Sequence, residues 1–194
     1  MNAVPASARN DKTDVVAAAM RVLAESGLPG LSMRRIADEL DVQVSALYWH
    51  FPNKQSLLAA VSAHIVSGAP PASGMDAVAG ALRGRLLAHR DGAEVVSSSL
   101  ALGLLDLPAR AELIVAARDS GLDAANAEIA ADTIVHYVMG YTFHEQQRLY
   151  ASVVGAADAS VDLAPAQIDD RGGAFEAGLA MVVAGVRAAS VTAR

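Results

Sequence analysis

Residues 31–54, LSMRRIADELDVQVSALYWHFPNK, constrain the fold more than any other stretch of the chain. Leu31, Ile36, Ala37, Leu40, Val42 and Leu47 recur at helical spacing on either side of a short polar break. That pattern predicts two short helices joined by a tight turn. Ser32 is placed to N-cap the first, which ends near Leu40. The second runs over about Val44–His50 and stops at Phe51-Pro52, because proline disfavours helical geometry in the residue before it. Asn53 then caps a further helix with the stripe Leu57, Leu58, Val61 and Ile65. Upstream, Val15, Ala19, Val22 and Leu23 form the buried stripe of a helix over about Asp11–Glu25. It is stopped by Ser26-Gly27 and followed by a turn at Leu28-Pro29-Gly30. The arrangement is a helix-turn-helix.

The remainder continues in helices, and no segment alternates as a strand would. With 53% hydrophobic but only 4% aromatic residues, the expected class is all-α. It comprises an N-terminal three-helix helix-turn-helix unit and a larger C-terminal helical domain. Residues 1–9 read as a flexible tail and 10–66 as the first unit with its linking helix. The run Ser67-Gly68-Ala69-Pro70-Pro71-Ala72-Ser73-Gly74 opens the second unit, 67–194. Helices are expected there at about 75–90, 93–103, 108–119, 123–150 and 173–190. Pro108 suits a first turn and Gly121 a stop; residues 153–170 are left unassigned. No apolar run approaches the ~20 residues of a membrane span, and the N-terminus lacks the apolar core of a secretory signal. There is no cysteine, which excludes disulfides and thiolate metal sites. The expectation is a cytoplasmic protein with no membrane partner.

Formal net charge is −6, unevenly distributed. Residues 1–60 carry six basic side chains (Arg9, Lys12, Arg21, Arg34, Arg35, Lys54) against six acidic ones (Asp11, Asp14, Glu25, Asp38, Glu39, Asp41), so the whole excess lies beyond them. An acidic body repels phosphate, so it should sit away from a duplex and leave nonspecific binding weak.

An α-helix fits the major groove, where every base pair presents a distinct donor and acceptor pattern. The second helix of a helix-turn-helix enters that groove with its N-terminal residues foremost. Gln43 can pair with adenine, Val44 and Ala46 can touch a thymine methyl, and Ser45 faces the same edges. Arg34 can reach a guanine or a phosphate. Tyr48 and His50 suit phosphate oxygens, and Lys54 adds its charge to the positive end of the following helix. Such phosphate contacts position a protein without reading sequence. The same pattern also fits a plain helical hairpin in which Trp49 is a packing residue against the first helix. A helical small-molecule-binding protein without operator binding is therefore a competing class. A metallohydrolase is a remote one: His144-Glu145-Gln146-Gln147-Arg148 approaches a zinc-protease signature, but arginine stands where the second histidine must ligate. There is no phosphate-cradling glycine loop and no nucleophile elbow, and Ser97-Ser98-Ser99 reads as a helix-terminal polar cluster. No catalytic residue, cofactor or metal is expected.

Leu47-Tyr48-Trp49-His50, Asn53-Lys54 with the leucines after it, His89-Arg90-Asp91-Gly92-Ala93, and Phe175-x-x-Gly178-Leu179 together carry a resemblance. The chain resembles the TetR family of bacterial transcription regulators, and within it the tetracycline-repressor subgroup, in both domains. The resemblance implies a homodimer. Its N-terminal domains would bind a palindromic double-stranded DNA operator, and its helical bodies would dimerise and take a small-molecule inducer. It places Arg34, Gln43, Val44, Ser45, Tyr48, Trp49, His50 and Lys54 at operator-contact positions. Gln43-Val44-Ser45 departs from the subgroup, which implies a different operator sequence. It places the ligand pocket among helices five to eight, with Leu82, Val96, Leu113, Ile114, Val135, His136 and His144 as lining candidates. Most are apolar, so a hydrophobic or aromatic inducer with few polar anchors is expected. Val96 and His144 stand where the subgroup holds its histidine and glutamate toward a magnesium–drug chelate. A hard cation wants oxygen ligands, so that chelate is not the expected inducer. The two long apolar helices near 123–150 and 173–190 would form a four-helix interface in a dimer, with Gly178 and Gly185 permitting close crossing.

Overall fold

The structure, a computed structural model, describes residues 10–68, 72–154 and 171–192. The expected tail at 1–9, part of the expected linker and most of the unassigned 153–170 segment lie outside them. The described residues form helices and no strand: α1 (Lys12–Gly30), α2 (Met33–Glu39), α3 (Val44–Tyr48), α4 (Lys54–Val66), α5 (Met75–Leu87), α6 (Gly92–Ala101), α7 (Pro108–Asp119), α8 (Ala124–Val154) and α9 (Arg171–Thr192).

Helix ends follow from local chemistry. Asp11 and Asp14 cap α1 reciprocally: the Asp11 carboxylate accepts from the Thr13 and Asp14 amides, while Asp14 accepts from the Asp11 amide. The Asp14 amide, with that of Thr13, holds the Asp11 carboxyl below its ordinary value. Gly27, at φ 67° and ψ −177°, breaks α1 where the sequence predicts its stop, and one more helical turn follows to Gly30. Ser32 caps α2, and Asn53 and Ser56 form a capping box on α4. Pro108 sits in the first turn of α7.

The three helices of the head, α1 to α3, bury Val15, Val22, Leu23, Leu31, Ile36 and Leu47 between them. α4 runs from the head into the body and packs on α6. There the buried Ser62 hydroxyl donates 3.1 Å to the Val95 carbonyl and lies 2.8 Å from the Ser99 hydroxyl. Ser99 is thus a buried bridge between helices, not part of a helix-terminal polar cluster. α8, 31 residues long, is the axis of the body, with α5, α6, α7 and α9 packed on it. Phe175 of α9 packs on Tyr137 (tilted, centroids 5.5 Å apart) and edge-to-face on Tyr141 (5.3 Å) of α8. A Cβ on Gly178 would collide with the Tyr137 hydroxyl. The close crossing expected at Gly178 therefore occurs within the chain; Gly185 faces open space.

One expectation is corrected. The stretch Gly172–Ala189 of α9 is long and apolar enough, by length and composition, to cross a membrane, with mean hydropathy 1.2. Its apolarity comes from alanine and valine interrupted by Glu176 and Arg187, so no unbroken run betrays it. Most of that stretch is exposed in the single chain, and Met181 is 75% exposed.

Candidate nucleic-acid interface

The turn between α2 and α3 is built by α2's own C-terminus. The Val42 amide donates to the Ala37 carbonyl (3.0 Å) and the Asp41 amide to that of Asp38 (3.2 Å). This is a Schellman closure with Asp41 in the left-handed region at φ 52°, where glycine is usual and aspartate is among the tolerated residues. Val42 folds back on the core. That fixes where α3 starts and so which side chains lead it.

α3 is short, and its single fully buried side chain, Leu47, pins it to the head. Around that pin the other side chains turn outward. Gln43 and Ser45 are exposed, Val44 and His50 half-buried. Tyr48 is 50% and Trp49 89% exposed. Trp49 therefore does not pack α3 against α1. Phe51 takes the interior place instead, with the Lys12 ammonium 6.0 Å from its ring centroid.

The neutral charge of the head conceals an uneven pairing. Arg21 is bonded to Glu39 (2.7 Å) and Arg35 to Glu25 (3.3 Å), tying α2 to α1. Arg34 and Lys54 are exposed and have no ion pair among the described residues. At the start of α4 the Asn53 side chain takes the Ser56 amide at 2.8 Å. The Lys54 and Gln55 amides, by their place in the first turn, lack an intrahelical acceptor. A lysine at that helix end is a site for an anion such as a backbone phosphate. An open groove of about 960 Å³ lies between the start of α1 and the α2–α3 turn with α3, lined by Asn10, Asp11, Asp41, Ser45, Trp49 and His50 among others; sequence reading had not singled out Asn10 or Asp11 for it.

The body candidates do not converge on a comparable opening. Val96 and Leu113 are fully buried, and Val135 is buried. Ile114 is half-buried. Leu82 lines a recess of about 30 Å³ with Val66, Val78, Leu107 and Pro108, against the ~300–1,000 Å³ of a ligand pocket. His136 is exposed, its Nδ1 2.7 Å from the Asp132 carbonyl one turn back. His144 is also exposed, beside a groove of about 400 Å³ with Tyr141, Glu145 and Arg148. The Thr142 hydroxyl, which sequence reading missed, is fully buried without a hydrogen-bond partner among the described residues. Among the described residues, no three histidine, aspartate or glutamate side chains come together as a metal would require. Within the His144–Arg148 run, Glu145 is bonded bidentately to Arg83, whose guanidinium lies 4.8 Å from the Phe175 centroid.

Comparison with known proteins identifies the family. Residues 15–61 match the family model described as bacterial regulatory proteins of the tetR family, and residues 73–163 match the tetracyclin repressor-like C-terminal domain. The chain is 34% identical to the class A tetracycline repressor protein from transposon 1721 of Escherichia coli, covering 89% of this chain and 88% of that one. Among solved structures it is similar to BioQ with its double-stranded DNA operator, at 39% identity and TM-score 0.76, covering 92% of this chain and 99% of that one. It is also similar to a variant of TetR from Acinetobacter baumannii AYE in complex with minocycline, at 28% identity and TM-score 0.69, covering 91% and 96%. These matches leave no place for the metallohydrolase reading: the chain belongs to the TetR family of bacterial DNA-binding transcriptional regulators.

Proposed function

We propose that the chain is a repressor that acts as a homodimer on a palindromic operator and is released by a small hydrophobic or aromatic inducer. Residues 10–66 are its reading head and 67–194 its ligand-binding and dimerisation body, working in the cytoplasm. The observation that carries this reading is the outward Tyr48-Trp49 pair on a head whose exposed Arg34 and Lys54 have no ion pair among the described residues. A helical hairpin that merely packed would have buried its only tryptophan. Gln43, Val44 and Ser45 read base edges, with the half-buried Val44 offering less surface. Tyr48, Trp49, His50 and Lys54 hold the backbone, and Arg34 reaches a guanine or a phosphate.

Two copies join through α8 and α9, whose exposed Ile129, Leu149 and Met181 need cover. Such pairing sets two α3 helices about one DNA turn, ~34 Å, apart. The inducer enters among α5 to α8, near Leu82, Val96, Leu113, Ile114 and Val135, with His136 and His144 at the margins and the Thr142 hydroxyl as a polar anchor. Because those apolar positions are closed over, binding must open the body. An inducer that changes the operator-bound fraction from 99% to 1% must prefer the opened state ~10⁴-fold. The test is a titration of Trp49 fluorescence with random-sequence duplex and then with selected duplex, at two salt concentrations. Binding should perturb the emission and weaken with salt. Unchanged emission together with no retardation of either duplex in a gel would refute the reading in favour of a plain ligand-binding body.

A further inference from the structure

We infer that Gln146 is a positioning residue for the reading head: from α8 it holds the α5–α6 turn, whose Arg90 and Asp91 hold the end of α1. The inference rests on the operator binding of the family and goes beyond it to what fixes the head's orientation.

Gln146 makes three bonds to the backbone of one turn. Its Nε2 donates to the Leu86 carbonyl (2.9 Å) and the His89 carbonyl (2.8 Å), and its Oε1 accepts from the Ala93 amide (3.0 Å). The start of α6 leaves the Ala93 amide without a helical acceptor, and the two carbonyls otherwise accept turn bonds, from the His89 amide (3.4 Å) and the Gly92 amide (3.0 Å) respectively. The turn admits little variation. Asp91 is left-handed at φ 54°, and a Cβ on Gly92 would collide with the Leu86 carbonyl. Tyr150, one helical turn beyond Gln146 and so on the same face of α8, sets its ring 5.3 Å from the Arg90 guanidinium carbon.

From this braced turn two bonds cross to the head. Arg90 Nη1 donates to the Glu25 carbonyl (2.8 Å), and the Leu28 amide donates to Asp91 Oδ2 (2.7 Å). Glu25 and Leu28 flank Gly27, where α1 breaks and frees those backbone groups. A Cβ on Gly27 would come within 2.5 Å of Asp91 Oδ2 and 3.0 Å of Arg90 Nε. The head is thus joined to the body through two helices: α4, packed on α6 and α5, and α1, bonded to the α5–α6 turn. One attachment leaves a hinge; two fix an orientation. A paired reader depends on that orientation, since both α3 helices must meet successive grooves at once.

The test uses the full chain, well below its melting temperature, with Gln146→Met, which keeps length but loses both polar ends, and Asp91→Gly, which removes the carboxylate but keeps the left-handed backbone. Amide exchange at Leu28 and affinity for duplex selected by the unmodified chain are measured in each variant and in the double variant. We expect Leu28 to exchange faster in each while amides near Val138 keep their protection. Operator affinity should fall ~5–150-fold, the usual size of coupling between sites. The double variant should lose no more than the weaker-binding single one, because both changes cut one path. Unchanged Leu28 exchange, unchanged affinity, multiplying losses, or exchange rising evenly over α1 and α8 would each overturn the assignment. If the unmodified chain selects no duplex, the operator reading fails, and Leu28 exchange still decides the tether.

Discussion

Head and body are built from the same kind of amphipathic helix, yet they place their chemistry on opposite sides. The head turns Tyr48 and Trp49 to solvent and leaves Arg34 and Lys54 without an ion pair among the described residues. The body uses its charges and rings on itself: Arg83 grips Glu145 over Phe175, and Arg110 grips Asp132 at 2.6 Å. The head is a surface complete only with a partner. The body closes over its own core, with the Thr142 hydroxyl the polar side-chain atom buried there without a partner among the described residues; on the proposed function a ligand reopens it.

The contrast breaks first if stability and binding respond to the same residues. Leu113→Ala, in the fully buried body core, should cost about 2–5 kcal/mol in chemical denaturation. Trp49→Ala should change stability by no more than about 0.5 kcal/mol, as surface substitutions do, while weakening DNA binding. A large stability loss from Trp49→Ala would mean the ring is covered in solution. Next in size, Gln43→Ala should cost about 1–3 kcal/mol of discrimination at one base position. The readout is affinity across single-base operator variants, and an unaltered preference would remove Gln43 from base reading. Smaller and without sequence preference, Lys54→Ala should weaken all duplexes alike and lower the salt-dependence slope by about 1.

The smallest expected effect is on pH dependence. Burial, with help from His64 and Arg85, holds the His89 imidazole below its ordinary value of 6.5. The folded chain keeps it neutral where the unfolded chain would protonate it, so the unfolded state takes up more protons. Stability is therefore full above pH 6.5 and declines as pH falls below it toward the depressed folded value. His89→Gln should flatten that part of a melting-temperature profile; an unchanged profile would assign the decline to other groups.

The head was largely legible because its signals are local. Ser32 and Asn53 mark helix starts within a few residues of the sequence, and the polar break before Val44 marks the turn. One local detail escaped and one stayed open. Asp41 closes α2 in a conformation more usual for glycine, and helical spacing by itself left Trp49 open to a core position, although the resemblance already implied that it faces outward. α3 ends at Tyr48, two residues short of the expected His50. The body was less legible because its decisive contacts are distant in sequence. Asp91 meets Leu28 across 63 residues and Gln146 meets Leu86 across 60, and no periodicity encodes such pairs. The gap between the helices expected at about 75–90 and 93–103 left room for a turn, but nothing in it said what the turn would hold. Whether Leu82, Val96 and Leu113 surround space or fill it depends on summed side-chain volumes, which a pattern of apolar positions does not contain.

Selection of bound sequences from a pool of random duplex DNA by the full chain tests the outward face of the head most directly. The enriched sequences should form an inverted repeat with half-site centres about one helical turn, ~10 base pairs, or a multiple of it apart. Substituting Gln43 should change one symmetric pair of positions in that repeat. A pool that emerges unenriched, or a single half-site without its mirror, would contradict the account.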